Sequence, residues 1–429
     1  MSDALKMSLR SIFYRRKQYV SIFLVCLFGI GISIFSIFLI DGMLSALETK
    51  ARIYYGGDYQ FLGGTKDYDL ADYDNYIEDL KTVFPKDTII APRIFSGSTE
   101  CYAALYFEGV GVRQRIINGV DFALEKELFS TLNFNSGSIE GMAGSNGILL
   151  SAAIADILEV HTGDSLTLMV HTKSQGINTI DLVVNGIFTD SSLFGMYTSY
   201  MDIECLRDAF KYPDNCINRI CITLPSGYNG ESLAPTYQAL LEQKYPMYEQ
   251  VTNKQLFYDH RKDMGFPNYA LIKLSANLNE VQILIDAMKL MATFIIAILL
   301  LIIIIGVSST FRVIVIKRIN EIGIYKAIGM RYGKIMGMLL TETMLLVISG
   351  CISGLVFSLI LCLFAKFINF SFIPAFDIFL KNGVLVPNIN IVYFILLAAV
   401  IIVTTLFAVY LRIRKSVAVP PCEALAVTE

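Results

Sequence analysis

The sequence predicts an α-helical membrane protein with four transmembrane helices and a large α+β extracytoplasmic domain inserted between helices 1 and 2. Three observations lead there. Hydrophobic residues make up 54% of the 429 residues, and the mean hydropathy of +0.55 is too high for an ordinary soluble chain. Four apolar runs, at 19–40, 287–311, 335–365 and 391–411, reach the ~20 residues that a helix needs to cross a bilayer. Between the first two lies a long segment of mixed polarity, 41–286, with room for one large domain or two smaller ones.

Orientation follows from lysine and arginine. The N-terminal segment 1–18 carries Lys6, Arg10, Arg15, Arg16 and Lys17, and the tail 412–429 carries Arg412, Arg414 and Lys415. The connection 312–334 carries Arg312, Lys317, Arg318, Lys326, Arg331 and Lys334. Short basic segments stay in the cytoplasm, so both termini and this connection are expected inside, and 41–286 and 366–390 outside. The first run is longer than the apolar part of a signal peptide and lacks a clean small-residue cleavage site, so it reads as a retained anchor. The formal net charge of −3 conceals an acidic external segment and basic internal ones. Anionic membrane lipids are the expected partners of the basic residues, and nucleic acid is not.

Within 41–286 the periodicity alternates between strand and helix. The stretch 147–170 reads as a short strand, a helix over 151–160, a turn at Thr162-Gly163-Asp164 and a strand over 165–170. Further strands are expected at 115–120 and 181–188, and strand-like pieces near 101–110 and 218–225. The flanks 41–115 and 190–286 are expected to form a membrane-proximal α+β part, with 116–189 as an inserted β-rich subdomain. A continuous helix is expected from Leu278 to Phe311, without an interrupting Pro or Gly before Gly306. A rigid helix of this kind passes movement across the membrane interface, although soluble domains also sit on plain helical stubs.

Catalytic signatures are absent from the sequence. Gly329 and Gly333-Lys334 lack the spacing and the hydroxyl of a phosphate-binding loop, and no serine-hydrolase or zinc-protease motif occurs. Asp69, Asp72, Asp74 and Glu78 form a charge run of the solvated kind. His161, His171 and His260 have no metal-ligand spacing. Of eight cysteines, Cys26, Cys351 and Cys362 fall in spans as small packing residues, and Cys422 is internal. Cys101, Cys205, Cys216 and Cys221 are external and are compatible with either disulfides or free thiols. The chain is therefore not expected to be an enzyme or to hold a cofactor or metal of its own.

Two ionisable residues sit near span ends, Asp41 and Glu342. Such residues are often functional, but one this close to an interface also reaches headgroups or a neighbouring helix. Gly333/Gly337 and Gly350/Gly354 have G-x-x-x-G spacing, which serves close helix packing within the chain or in a dimer. On a helix drawn from 318 to 334, Ile322, Tyr325, Ile328 or Gly329, and Tyr332 share one side, with Glu321 and Lys326 off it. The small residues Gly323, Ala327, Gly329 and Gly333 suit close approach to a protein or a bend before the third span. A basic helix resting on the membrane surface is the alternative.

At these residues the sequence resembles a known family. The run from Arg318 to Gly329 has the pattern R-x-x-E-I-G-x-x-x-A-x-G of the FtsX-like, MacB-like ABC transporter permeases, which include the lipoprotein-releasing LolC and LolE. The segment ending at Leu158, Gly163 and Asp164, the segment Ile117 to Asp121, and the tail Pro421, Glu423, Ala424 and Leu425 resemble other motifs of that family, in its order and spacing.

The resemblance implies a permease that transmits ATP-driven movement from a separate cytoplasmic ATPase to the external domain, most closely for lipoprotein release. By position it assigns ATPase coupling to Arg318, Glu321, Ile322, Gly323, Lys326, Ala327, Gly329 and Met330, with helix packing at Gly350 and Gly354. ATP and magnesium belong to the partner. A second permease copy or paralogue, and a periplasmic lipoprotein chaperone or adaptor, are the further partners implied. An exporter permease working with an adaptor is the alternative, and a membrane-anchored receptor or sensor a second one. The localisation implied is the inner cell membrane.

Overall fold

The fold follows from a computed structural model that describes residues 12, 14, 16–65, 69–97, 102–114, 116–190, 192, 194–370, 373–418 and 420. Lys6, Arg10, Arg15, Cys101, Arg115, Cys422 and the tail motif at 421–425 lie outside the described residues. The described chain forms two compact units. One, the sheet unit, comprises Ser45–Leu284 together with Phe370–Gly383, and the other, the helical unit, holds the remainder.

Four helices of the helical unit are long and apolar enough to cross a membrane, which makes this a multi-pass membrane protein. The first, Arg16–Tyr55, has 40 residues. The second, Asn279–Lys317, has 39. At ~1.5 Å per residue each is about 60 Å long, roughly twice the hydrocarbon thickness of a bilayer. Both therefore continue well past the apolar runs at 19–40 and 287–311. The third and fourth helices are Tyr332–Ala365 and Ile391–Ala418. The core of the unit is built at helical spacing. Tyr19, Ile22, Cys26, Ile30, Ile34 and Phe38 of the first helix meet Ile303, Val307 and Phe311 of the second, Ile335, Leu339 and Val347 of the third, and Ile401, Val409 and Ile413 of the fourth. Asp41, just past the apolar run of the first helix, accepts a 2.8 Å hydrogen bond from Asn388 Nδ2.

The sheet unit carries strands β1 (Tyr59–Gly64), β2 (Leu70–Ala71), β3 (Ile89–Gly97), β4 (Ala103–Phe107), β5 (Val110–Arg113), β6 (Ile116–Val120) and β7 (Phe134–Gly137). They are followed by β8 (Gly147–Ser151), β9 (Ser165–His171), β10 (Ile177–Phe188), β11 (Thr198–Asp202), β12 (Cys216–Ile217), β13 (Arg219–Thr223) and β14 (Asn268–Lys273). Twelve of them make one mixed sheet in the order β14-β1-β13-β3-β6-β11-β8-β10-β9-β4-β5, with β7 also on β10. β6–β11 and β8–β10 are parallel, and the other pairs in this sheet are antiparallel.

The inserted subdomain expected at 116–189 does not form as a separate body. Its strands β6, β8, β9 and β10 lie inside the same sheet, between β3 on one side and the β4–β5 hairpin on the other. Phe61, Ile94, Leu105, Ile117, Ile148, Leu168, Val184, Ile220 and Leu271 share one core drawn from both flanks and the middle. Period-2 patterning locates strands but leaves their partners open, and here the partners come from distant sequence. The local features appear as read. Ser151 caps the helix Ala152–Leu158, and Gly163 takes φ +99° in the turn before β9. Gly119 lies against Ile203 and Leu206 of the helix Ile203–Phe210, where a Cβ would come within 3.0 Å of Leu206.

The C-terminal end of the first helix is anchored in the sheet unit by a buried ion pair. Arg93 on β3 is 1% exposed and Glu125 is 2% exposed. Arg93 Nε donates to Glu125 Oε1 at 2.8 Å, and its Nη2 donates to Glu125 Oε2. Arg93 Nη1 donates to the carbonyls of Ile53 at 2.8 Å and Tyr54 at 3.4 Å, in the last turn of that helix. A cation here complements the negative end of the helix dipole. Gln60 on β1 ties both long helices to one strand: its Nε2 donates to Tyr55 O at 2.6 Å, and its Oε1 accepts from Asn277 Nδ2 at 3.2 Å. Asn277 precedes the second helix by two residues.

Cys205, Cys216 and Cys221 are free thiols. Burial pushes Cys221 up to about 12, and Cys205 and Cys216 up to about 11. They remain neutral thiols at physiological pH and are poor nucleophiles.

Replacing Glu125 by Ala strands the Arg93 charge in the interior. Denaturant unfolding of the full chain in detergent, followed by far-UV circular dichroism, is expected to show a loss of about 3–5 kcal/mol. A loss below about 1 kcal/mol contradicts the anchoring role.

Candidate functional site

The connection between the second and third spans departs from a single helix over 318–334. The second helix stops at Lys317, and a short helix, Ile319–Ala327, follows Arg318. That helix ends at Gly329, where φ is +87°. Met330 N donates to Tyr325 O at 2.9 Å, and Gly329 N donates to Lys326 O at 3.0 Å. This is the Schellman pattern, with glycine at the left-handed position. Arg331 is extended, at φ −65° and ψ 144°, and the third span starts at Tyr332. Of the two roles open to the small residues, Gly329 serves the bend. A Cβ there would meet nothing within 4 Å, so the backbone conformation alone selects glycine.

The bend is set against a buried polar network. Arg318 Nη1 lies 2.7 Å from Glu342 Oε2 of the third span, and Arg318 Nε lies 3.0 Å from Glu321 Oε2. Tyr19 OH of the first helix donates to the same Glu342 oxygen at 3.0 Å. Arg318 is 3% exposed and Glu342 0%. Arginine keeps its charge in such surroundings, and a buried pair persists only where its members satisfy one another. Glu342 thus makes the neighbouring-helix contact that was one of its two expected outcomes. Its Oε1 has no hydrogen-bond partner among the described residues.

This network orients the short helix. Ile322 and Gly323 are buried, and Tyr325 and Met330 pack against the helical core. On the other side Ile324, Ala327, Ile328 and Gly329 are exposed, Ile328 at 74%. The sequence-assigned residues therefore divide. Arg318, Ile322 and Gly323 face inward, Met330 is partly covered, and Ala327 and Gly329 face outward. Glu321 and Lys326 are half-buried, and Glu321 is held by Arg318. The stripe drawn through Ile322, Tyr325, Ile328 and Tyr332 does not persist, because the chain bends after Ala327. Sequence reasoning placed Ile328 on the stripe but not among the coupling residues, singled out Glu342 without its partner, and missed Tyr19 and Ile324. The i, i+4 pair Ile324 and Ile328 was legible as a second apolar face, and the pairing of Arg318 with Glu342 was not.

The two glycine pairs of the third span behave differently. A Cβ at Gly350 would stand 2.4 Å from Cys26 Cβ, and one at Gly354 would stand 3.0 Å from Gly31 N. This pair seats the first helix directly on the third, so its packing is within the chain. Gly333 and Gly337 are exposed, with nothing within 4 Å of a Cβ at either position.

Residues 293–418, which include the bend and the third and fourth spans, match the family described as FtsX-like permease C-terminal. Among curated proteins no match was found. Among solved structures, the periplasmic region of MacB from Actinobacillus actinomycetemcomitans is similar at 11% identity, over 54% of this chain and 95% of that one. Its TM-score of 0.31 is too low to carry an argument about fold or activity.

Replacing Gly350 by Leu drives a side chain into Cys26 and the first helix. The expected result is a loss of at least about 3 kcal/mol or failure to fold, read as thermal unfolding in detergent. Gly337→Leu, on the open face, is expected to change stability by less than about 0.5 kcal/mol. Equal effects contradict the assignment of the two faces.

Proposed function

We propose that this chain, whose residues 293–418 match the FtsX-like permease C-terminal family, is the permease subunit of an ABC transporter. It passes movement from a cytoplasmic ATPase to an extracytoplasmic domain. ATP, bound with magnesium, is hydrolysed by a separate P-loop ATPase, and this chain holds no cofactor and catalyses no reaction. Both termini and the connection at Arg318–Lys334 are cytoplasmic, the sheet unit is extracytoplasmic, and the protein sits in the inner cell membrane.

The observation that carries this reading is the exposed apolar face of Ile324, Ala327 and Ile328. It stands on a short helix whose opposite side is buried and whose first turn is tied to the third span through Arg318 and Glu342. Such a face meets a partner as hydrophobic anchors do in protein interfaces. The buried pair means that a displacement of the helix is handed to the third span and to Tyr19 of the first. In this assignment Ile324, Ala327 and Ile328 touch the ATPase, Glu321, Lys326 and Met330 border the contact, and Arg318, Ile322, Gly323 and Gly329 position it.

The substrate class proposed is lipoprotein released from the membrane, a reading supported by the size of the sheet unit. A second permease copy or paralogue fits the exposed Leu290, Phe294, Leu301 and Ile305 of the second helix, and a periplasmic lipoprotein chaperone or adaptor is the soluble partner.

Purification of the full chain in mild detergent from its native membrane tests the reading. A P-loop ATPase is expected to co-purify and to hydrolyse ATP faster in the complex. Ile328→Glu is expected to weaken its retention at least tenfold, the scale of an interfacial hot spot (~2 kcal/mol), with unfolding of the chain unchanged. A chain that neither retains nor stimulates an ATPase contradicts the proposal.

A further inference from the structure

The connection between the third and fourth spans is fastened to the sheet unit, and the proposed coupling path does not use it. Lys50 lies in the first helix, beyond its apolar run. Its Nζ donates to Asp377 Oδ2 at 2.7 Å and to the Asp377 carbonyl at 2.7 Å, and lies 3.5 Å from Asp190 Oδ1. The three side chains are 17%, 8% and 10% exposed. Asp190 is itself held, accepting from Ser192 N at 2.9 Å, and it follows the end of β10. Asp377 sits in the short turn Pro374–Phe379, which Leu380 N closes by donating to Asp377 O at 2.9 Å. Ile378, Phe379 and Leu380 are buried. Phe370 N donates to Gly383 O at 2.8 Å across the base of the segment.

Phe370–Gly383 is thus part of the sheet unit, while the chain on either side of it belongs to the helical unit. The sheet unit is therefore joined to the membrane helices at four points along the chain, where the first and second helices alone would supply two. A lysine whose ammonium is bonded to a carboxylate and to a carbonyl of the same residue, and flanked by a second carboxylate, is a desolvated clasp rather than a surface ion pair.

We propose that Phe370–Gly383 is a strap through which the third and fourth spans act on the sheet unit, with Lys50, Asp377 and Asp190 as its clasp. The strap delivers movement to the β10–β11 connection at Asp190, far along the sheet order from β1, to which Gln60 ties the two long helices. Lys50 is a positioning residue in this scheme. The inference rests on the permease reading, and two readouts separate them.

The first needs no ATPase. In the purified full chain, Lys50→Met is expected to raise amide exchange at least tenfold over residues 376–383 and to leave β1 and β13 unchanged. Lys50→Arg, which keeps the donor and the charge, is expected to retain protection. Unchanged exchange in Lys50→Met overturns the clasp. The second uses the complex with the co-purified ATPase, comparing the nucleotide-free state with ATP plus vanadate. In the unaltered chain amide exchange over 190–198 is expected to differ between the two states. In Lys50→Met that difference is expected to fall at least fivefold while ATPase stimulation stays within twofold. A retained nucleotide-dependent difference in Lys50→Met overturns transmission through the strap. Absence of any stimulated ATPase from the unaltered chain overturns the permease reading instead, and with it transmission, whereas the exchange result on the clasp stands.

Discussion

Arg318 and Glu342 form an ion pair inside the helical core, and the arrangement of the site depends on it. Taking each charge out of water costs several kcal/mol, so the pair holds only while its members stay together. The 2.7 Å contact places the start of the short helix against the third span, and the Tyr19 hydroxyl brings the first helix to the same carboxylate. Three segments far apart in sequence therefore meet at one oxygen. With that point pinned, Ile322 and Gly323 turn inward and Ile324 and Ile328 turn outward. The Gly329 bend then returns the chain to the membrane. The outward face is a consequence of the inward pair.

The same device recurs at the other end of the first helix. There the buried pair is Arg93 and Glu125, and the arginine also accepts the duty of closing the helix by donating to Ile53 and Tyr54 carbonyls. A helix about 60 Å long thus has a buried arginine–glutamate pair at each extremity, bonded through Tyr19 at one and through its last carbonyls at the other. Between them Gly29 and Gly31 admit Ile303 and Phe357 against its backbone.

Legibility in the sequence tracked the range of the interaction responsible. The four spans were legible because hydrocarbon burial needs a continuous apolar run, and the helix Ala152–Leu158 and turn at Gly163 because caps and left-handed glycines are local. The sheet order was not, since β3 pairs with β6 and β4 with β9 across sequence that alternation leaves uncommitted. In the site, the family pattern singled out Arg318, Glu321 and Gly329 together, but their roles separated only in three dimensions. Arg318 is a buried anchor, Glu321 its half-exposed companion, and Gly329 a backbone requirement. Nothing in the spacing joins Arg318 to a carboxylate in the next span or to a tyrosine near the N-terminus, because charge pairing has no periodicity. Likewise G-x-x-x-G spacing is identical at Gly333/Gly337 and Gly350/Gly354, and only the position of the first helix distinguishes them.

The most direct measurement is a double-mutant cycle on Arg318→Met and Glu342→Met in the full chain, read as unfolding free energy in detergent. The account predicts that each single substitution costs about 3–5 kcal/mol, because it leaves the opposite charge buried alone, and that the double substitution recovers most of that loss. Coupling of about 2 kcal/mol or more is the expected result. Single effects below about 1 kcal/mol that simply add would contradict it, and the short helix would then owe its orientation to something other than this pair.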